Sequence, residues 1–129
     1  MRRLYFILPI VCMIMLTGCI KTAVNDSDPI VFTTDASASN ISVASSFQFK
    51  VTISSRIGYS GLSVAVTAVE EVSGLSVLPQ PPSFKTNIAD NSTSVINLPQ
   101  QKWVVTTIKI TDLYNANNTA SKTFRVIYK

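Results

Sequence analysis

From Ile30 onward the apolar residues recur with a period of two. The clearest case is Phe47, Phe49, Val51 and Ile53, alternating with Gln48, Lys50, Thr52 and Ser54. Such alternation turns one face of an extended segment toward a core and the other toward water. The same rhythm runs through Leu62, Val64, Val66 and Ala68, through Ile96 and Leu98, through Val104, Thr106, Ile108 and Ile110, and through Phe124, Val126 and Tyr128. No window of comparable length favours a helical period. Turn-forming stretches separate the runs at Ser54 to Gly61, Ser73 to Pro82, Ala89 to Ser92, Pro99 to Lys102 and Leu113 to Thr119. The pattern predicts strands at Ile30 to Thr34, Ile41 to Val43, Phe47 to Ser54, Leu62 to Val69, Ser83 to Ile88, Thr93 to Leu98, Trp103 to Thr111 and Ala120 to Tyr128. Seven or eight strands over about 100 residues, with turns at irregular intervals, favour an antiparallel β-sandwich over a closed barrel.

The first residues follow a different rule. Arg2 and Arg3 precede an apolar run, Leu4 to Leu16, that is too short to span a bilayer and ends in Leu16-Thr17-Gly18-Cys19. This is the physical form of a cleaved secretory signal. An uncleaved anchor helix from Leu4 to Ile20 would be barely long enough, and Pro9, Thr17 and Gly18 would weaken it. Leu-Thr-Gly-Cys resembles the lipobox of bacterial lipoproteins, and that resemblance implies cleavage before Cys19 and acylation of its sulfur. Residues 1–18 then form the signal peptide, 19–28 the lipidated cysteine and a flexible tether, and 29–129 the sandwich. The tether, Ile20 to Asp28, is mostly polar and without apolar period. Its extended reach of about 30 Å would hold a small domain clear of lipid headgroups. Ile20 stands where inner-membrane lipoproteins of proteobacteria carry aspartate, so the resemblance implies the outer membrane. Asp26 and Asp28 come only after Lys21, which leaves the periplasmic and surface sides both open.

Loss of the signal changes the composition. Of the formal net charge of +4, two units leave with Arg2 and Arg3. The remaining cations are scattered from Lys21 to Lys129 without a stripe suited to phosphate backbones, so nucleic acid is not an expected partner. Of the 2 cysteines, Cys12 leaves with the signal and Cys19 would carry lipid, so apolar packing must hold the fold without a disulfide. A remaining chain of roughly 110 residues matches one domain with an adequate core.

The stretch from Val95 through Asn97-Leu98-Pro99, Trp103 and Ile108-Lys109-Ile110-Thr111-Asp112 to Phe124-Arg125-Val126 resembles the last three strands of bacterial immunoglobulin-like and fibronectin-III-like modules. The resemblance implies an immunoglobulin-like strand order. Trp103 stands near the usual tyrosine of fibronectin-like modules but out of phase with the alternation that follows. Either a bulge intervenes or Trp103 faces outward. No cysteine pair bridges the expected sheets, so antibody-type membership is not supported.

Candidate chemistry is sparse. The chain has no histidine, and the mature chain keeps no free thiol, which removes the commonest bases and nucleophiles. Glu70 and Glu71 are adjacent, and neighbours on a strand point to opposite faces, so they would not converge as a glycosidase pair. No serine sits in a nucleophile elbow. These features argue against an enzyme and against zinc or copper, and nothing implies a cofactor. Asp26 with Asp28, Asp90 with Asn91, and Asp112 with Asn115 supply hard oxygens, but without the dense spacing of a calcium loop, and turn formation accounts for them better.

The remaining candidates are loop side chains: Arg56 and Tyr59 in one loop, Asp90 and Asn91 in a second, Tyr114 and Asn115 in a third. In an immunoglobulin-like order these loops share one pole, where tyrosine and asparagine could contact protein or glycan. The chain would enter its first strand at that same pole, placing these loops on the tethered side. The opposite pole would carry Leu78-Pro79-Gln80-Pro81-Pro82 and the Pro99 to Lys102 turn, where prolines fix the backbone in advance of any contact. The expectation is a lipid-anchored, non-enzymatic sandwich of the bacterial envelope, attached through Cys19 and acting by protein or carbohydrate contacts. A structural accessory subunit of an envelope assembly and an inhibitor of a hydrolase are the alternatives.

Overall fold

The computed structural model describes residues 28–129; the expected signal segment, Cys19 and the expected tether as far as residue 27 lie outside the described residues. Eight strands follow in order: β1 (Phe32–Thr34), β2 (Ser39–Ser42), β3 (Phe47–Ile53), β4 (Leu62–Glu70), β5 (Phe84–Thr86), β6 (Asp90–Val95), β7 (Trp103–Asp112) and β8 (Thr119–Tyr128). They form two sheets, β1-β3-β6 and β2-β8-β7-β4-β5. The alternation read from the sequence explains the layering. Phe32, Phe49, Val51, Ile53 and Val95 of the smaller sheet are buried against Leu62, Val64, Val66, Val104, Ile108, Ile110, Phe124 and Val126 of the larger one. Phe49 and Phe124 meet across the layers edge to face, with ring centroids 4.9 Å apart, the arrangement favoured by aromatic quadrupoles. The protein is an all-β sandwich.

One pairing departs from the antiparallel expectation. After β1 pairs with β3, the chain crosses at Asp35 to Ala38 and β2 runs parallel to the last strand, β8. Two side chains hold the crossing. Asp35 Oδ1 accepts the Lys50 N–H at 2.7 Å, and Asn40 Nδ2 donates to Ser37 O at 2.7 Å and Arg125 O at 3.1 Å. The first edge of the chain is thereby split between both sheets.

Two expected boundaries move. Residues 90–92, expected in a turn, begin β6, because Asp90 and Asn91 pair with Thr52 and Val51 of the long β3. At its other end β6 stops at Val95 rather than Leu98. Asn97 adopts φ 57°, a left-handed backbone that turns the chain away from β3, and Leu98 N–H then donates to Ser45 O at 2.9 Å. The two readings left open for Trp103 are also settled. β7 pairs with β8 in an unbroken register from Trp103 to Thr111, and Val104 and Thr106 face the core. Trp103 therefore faces outward, where the Arg125 guanidinium lies 4.4 Å from its ring centroid and pairs in turn with Glu71 at 3.0 Å.

Candidate functional site

The two ends of the sandwich are built differently. At the near pole, where the described chain enters, four segments meet. Asn118 Nδ2 of the β7–β8 loop donates to Asp28 O at 3.0 Å. Leu113 N–H reaches Gly61 O at 3.1 Å, Ser54 N–H reaches Val31 O at 2.9 Å, and Ile53 N–H reaches Ala89 O at 2.9 Å. The sequence-based placement of these loops at one end, beside the chain entry, is what the backbone shows.

The predicted residues at this pole divide into two groups. Some are brackets. Asn91 faces the gap between the sheets, where its Oδ1 accepts the Thr86 hydroxyl at 2.7 Å and its Nδ2 donates to Ile88 O at 3.0 Å. Asn91 thus closes the short β5–β6 connection, joining the edge of one sheet to the edge of the other. Asp90 lies in strand β6 rather than in a loop and accepts the Thr52 hydroxyl at 3.1 Å. Asn115 Oδ1 accepts Asn117 N–H at 3.1 Å, while its own N–H points to Asp112 Oδ1 at 3.4 Å. Asp112 is buried and also receives Tyr114 N–H at 2.8 Å. Its carboxylate is occupied in capping this loop.

The others are free. Tyr59 is fully exposed and Tyr114 is 70% exposed, with Ile88 at 60% and Leu113 at 45% beside them. Arg56 is exposed as well. Ile88 and Leu113 were not singled out from sequence: the pattern places Ile88 at the end of a strand that in fact stops at Thr86, and Leu113 as one apolar residue within a turn. Gly61 makes the close approach of these loops possible. Its φ is +81°, and a Cβ there would lie 2.9 Å from Thr86 O.

At the far pole the loop between β4 and β5 is locked down. Val77 N–H donates to Ala68 O at 2.8 Å and Glu70 N–H to Leu75 O at 2.8 Å, folding the loop back along β4. Gln80 then behaves like a piece of strand. Its Oε1 accepts Ile96 N–H at 3.0 Å while its Nε2 donates to Ile96 O at 2.7 Å and Val77 O at 2.9 Å. Asn97 Nδ2 donates to Pro79 O at 2.7 Å. On this fixed frame Val72, Leu75 and Leu78 are exposed. Sequence reasoning marked the prolines here but missed Gln80, whose partners at Ile96 are distant in the chain.

Glu70 pairs with Lys102 at 3.0 Å and Glu71 with Arg125, so each adjacent carboxylate serves a different cation. Among the described residues no group of three or more His, Cys, Asp or Glu side chains could hold a metal ion. A depression lined by Asp35, Gln48, Phe49, Lys50 and Ser92 has a volume of about 150 Å³, below the range of ligand pockets. No protein-family model, curated protein or solved structure matches the chain.

Proposed function

We propose that this protein is a non-enzymatic, lipid-anchored sandwich of the bacterial envelope, held at the membrane through Cys19, whose far pole presents the rigid loop between β4 and β5 to a protein or carbohydrate partner. One observation carries the orientation: Asn118 ties Asp28 to the near pole, so a tether from Cys19 would arrive there and leave Val72, Leu75 and Leu78 on the opposite, outward end. Preorganisation supports a contact role. The Gln80 and Asn97 hydrogen bonds fix that loop before any partner arrives, which lowers the ordering cost of association. Engagement of Glu70 and Glu71 by separate cations supports the non-enzymatic part. The Leu16-Thr17-Gly18-Cys19 motif supports the anchor, and Ile20 directly after the cysteine supports the outer membrane as its site.

Two measurements test the reading. Cys19→Ala is expected to move the full-length protein from the detergent phase to the aqueous phase; unchanged partitioning removes the anchor. A photo-crosslinking side chain at Leu78 in living cells is expected to give a defined adduct with protein or glycan, and one at Thr67 on the open sheet face is not. Adducts only from Thr67, or from neither position, refute the far pole as the contact surface.

A further inference from the structure

We infer that the near pole seats on the lipid surface itself, with Tyr59 and Tyr114 at headgroup level and Ile88 and Leu113 beside them, so that the sandwich stands upright rather than swinging on its tether. This rests on the anchoring proposed above. Tyr59 is fully exposed, and Ile88, Leu113 and Tyr114 are each at least 45% exposed. All four lie in the loops that close the end where the chain enters. Tyrosine suits this position because its ring is apolar and its hydroxyl remains wet, the property that concentrates it at membrane interfaces.

Chain length favours the lipid over any other occupant. Only the short stretch from Cys19 to Asp28 separates the lipidation site from this pole, a contour on the order of 30 Å at full extension. A contour of that length lets the pole reach the lipid, and confinement within that reach makes even a weak apolar contact effective. The far pole has exposed apolar side chains too. It stands about 30 Å away, the length of the ten-residue strand β7 at 3.3 Å per residue.

The exposed charges around this end are of both signs, with Lys122 set back over the Phe32 ring. Arg56 and Lys85 at the rim are offset by Asp28 and Asp90, and the Asp112 carboxylate beside Tyr114 is turned inward onto backbone N–H groups. The contact is therefore apolar and aromatic, and it should persist at high salt.

The test uses the full-length acylated protein in vesicles of phosphatidylethanolamine and phosphatidylglycerol with brominated acyl chains, which quench nearby tryptophan. The single native tryptophan, Trp103, begins β7 at the far end and is expected to keep its emission. Tyr59→Trp and Tyr114→Trp are each expected to add a component that the brominated lipid quenches, in low and high salt alike. Leu78→Trp at the far pole is expected to add one that is not quenched. All three sites are at least 70% exposed, so the substitutions leave the core intact. If the protein floats with the vesicles but Trp at 59 and 114 stays unquenched, or Trp at 78 is quenched equally, the upright seating is wrong while the anchor stands. If the protein does not float with the vesicles, anchor and seating fall together.

Discussion

Thr106→Val should make this protein more stable. Thr106 sits in the middle of β7 with 0% exposure, in register between Ala68 of β4 and Phe124 of β8. Its hydroxyl oxygen is buried without a hydrogen-bond partner. Folding therefore strips water from a polar group and returns nothing, at a cost of roughly 1–3 kcal/mol by the behaviour of buried hydroxyls in protein mutants. Valine has the same branching and nearly the same volume, so strand preference and packing are conserved. An intermediate gain of ~1.5 kcal/mol corresponds to an increase in melting temperature on the order of 5–10 °C for a domain of this size. Urea titration followed by the emission of Trp103 reads the change, and the slope should stay constant because the surface exposed on unfolding is unaltered. Thr106→Ser is the control: it keeps the orphaned hydroxyl and loses a packed methyl, with an expected loss of about 1 kcal/mol. If Val is neutral or destabilising, the hydroxyl has a partner, such as an internal water, and the reasoning fails.

Three further substitutions probe the poles. Gly61→Ala combines a left-handed backbone with a Cβ 2.9 Å from Thr86 O and should cost roughly 2–4 kcal/mol. Gly74→Ala, at φ +70° but with nothing within 4 Å, should cost only about 1 kcal/mol; equal losses in thermal unfolding would contradict the close approach at Gly61. At the far pole, Gln80→Ala removes three hydrogen bonds and should lower stability by roughly 1–3 kcal/mol. Faster hydrogen exchange at the Ile96 amide is the signature, and an unchanged rate would show that Gln80 does not complete this edge.

The long strands were legible because each has one face on the core. β3, β4 and β7 show the alternation directly in their burial, from Phe49 to Ile53, Leu62 to Ala68 and Val104 to Ile110. β6 was displaced for the opposite reason. Asp90 to Ser94 contains no apolar residue, and what extends it is the length of its neighbour β3, a fact of pairing that no local window contains. The candidate loops were legible as a group at one end, since strand direction alone places them. Which of their side chains are free was not. Asn91 and Asn115 resemble surface recognition residues by type, yet their amides are taken by Thr86 and by Asn117, and only three-dimensional neighbours decide that. Gln80 gave no signal, because a glutamine among prolines looks like any loop residue until Ile96 is placed beside it.

The margins of the two sheets bear on what happens when many copies share one surface. Molecules confined to two dimensions collide far more often than the same number in free solution, and an exposed strand margin is a template for the next chain. Here β1 and β5 have 3 residues each and β2 has 4, while β6, the longest open margin, presents Asp, Asn, Ser and Thr until it reaches Val95. Such margins offer a neighbour too few backbone groups, or too wet a row, to zip onto. If the proposed anchor crowds copies onto a membrane, they should therefore remain a population of separate units, without any covalent brace to enforce it.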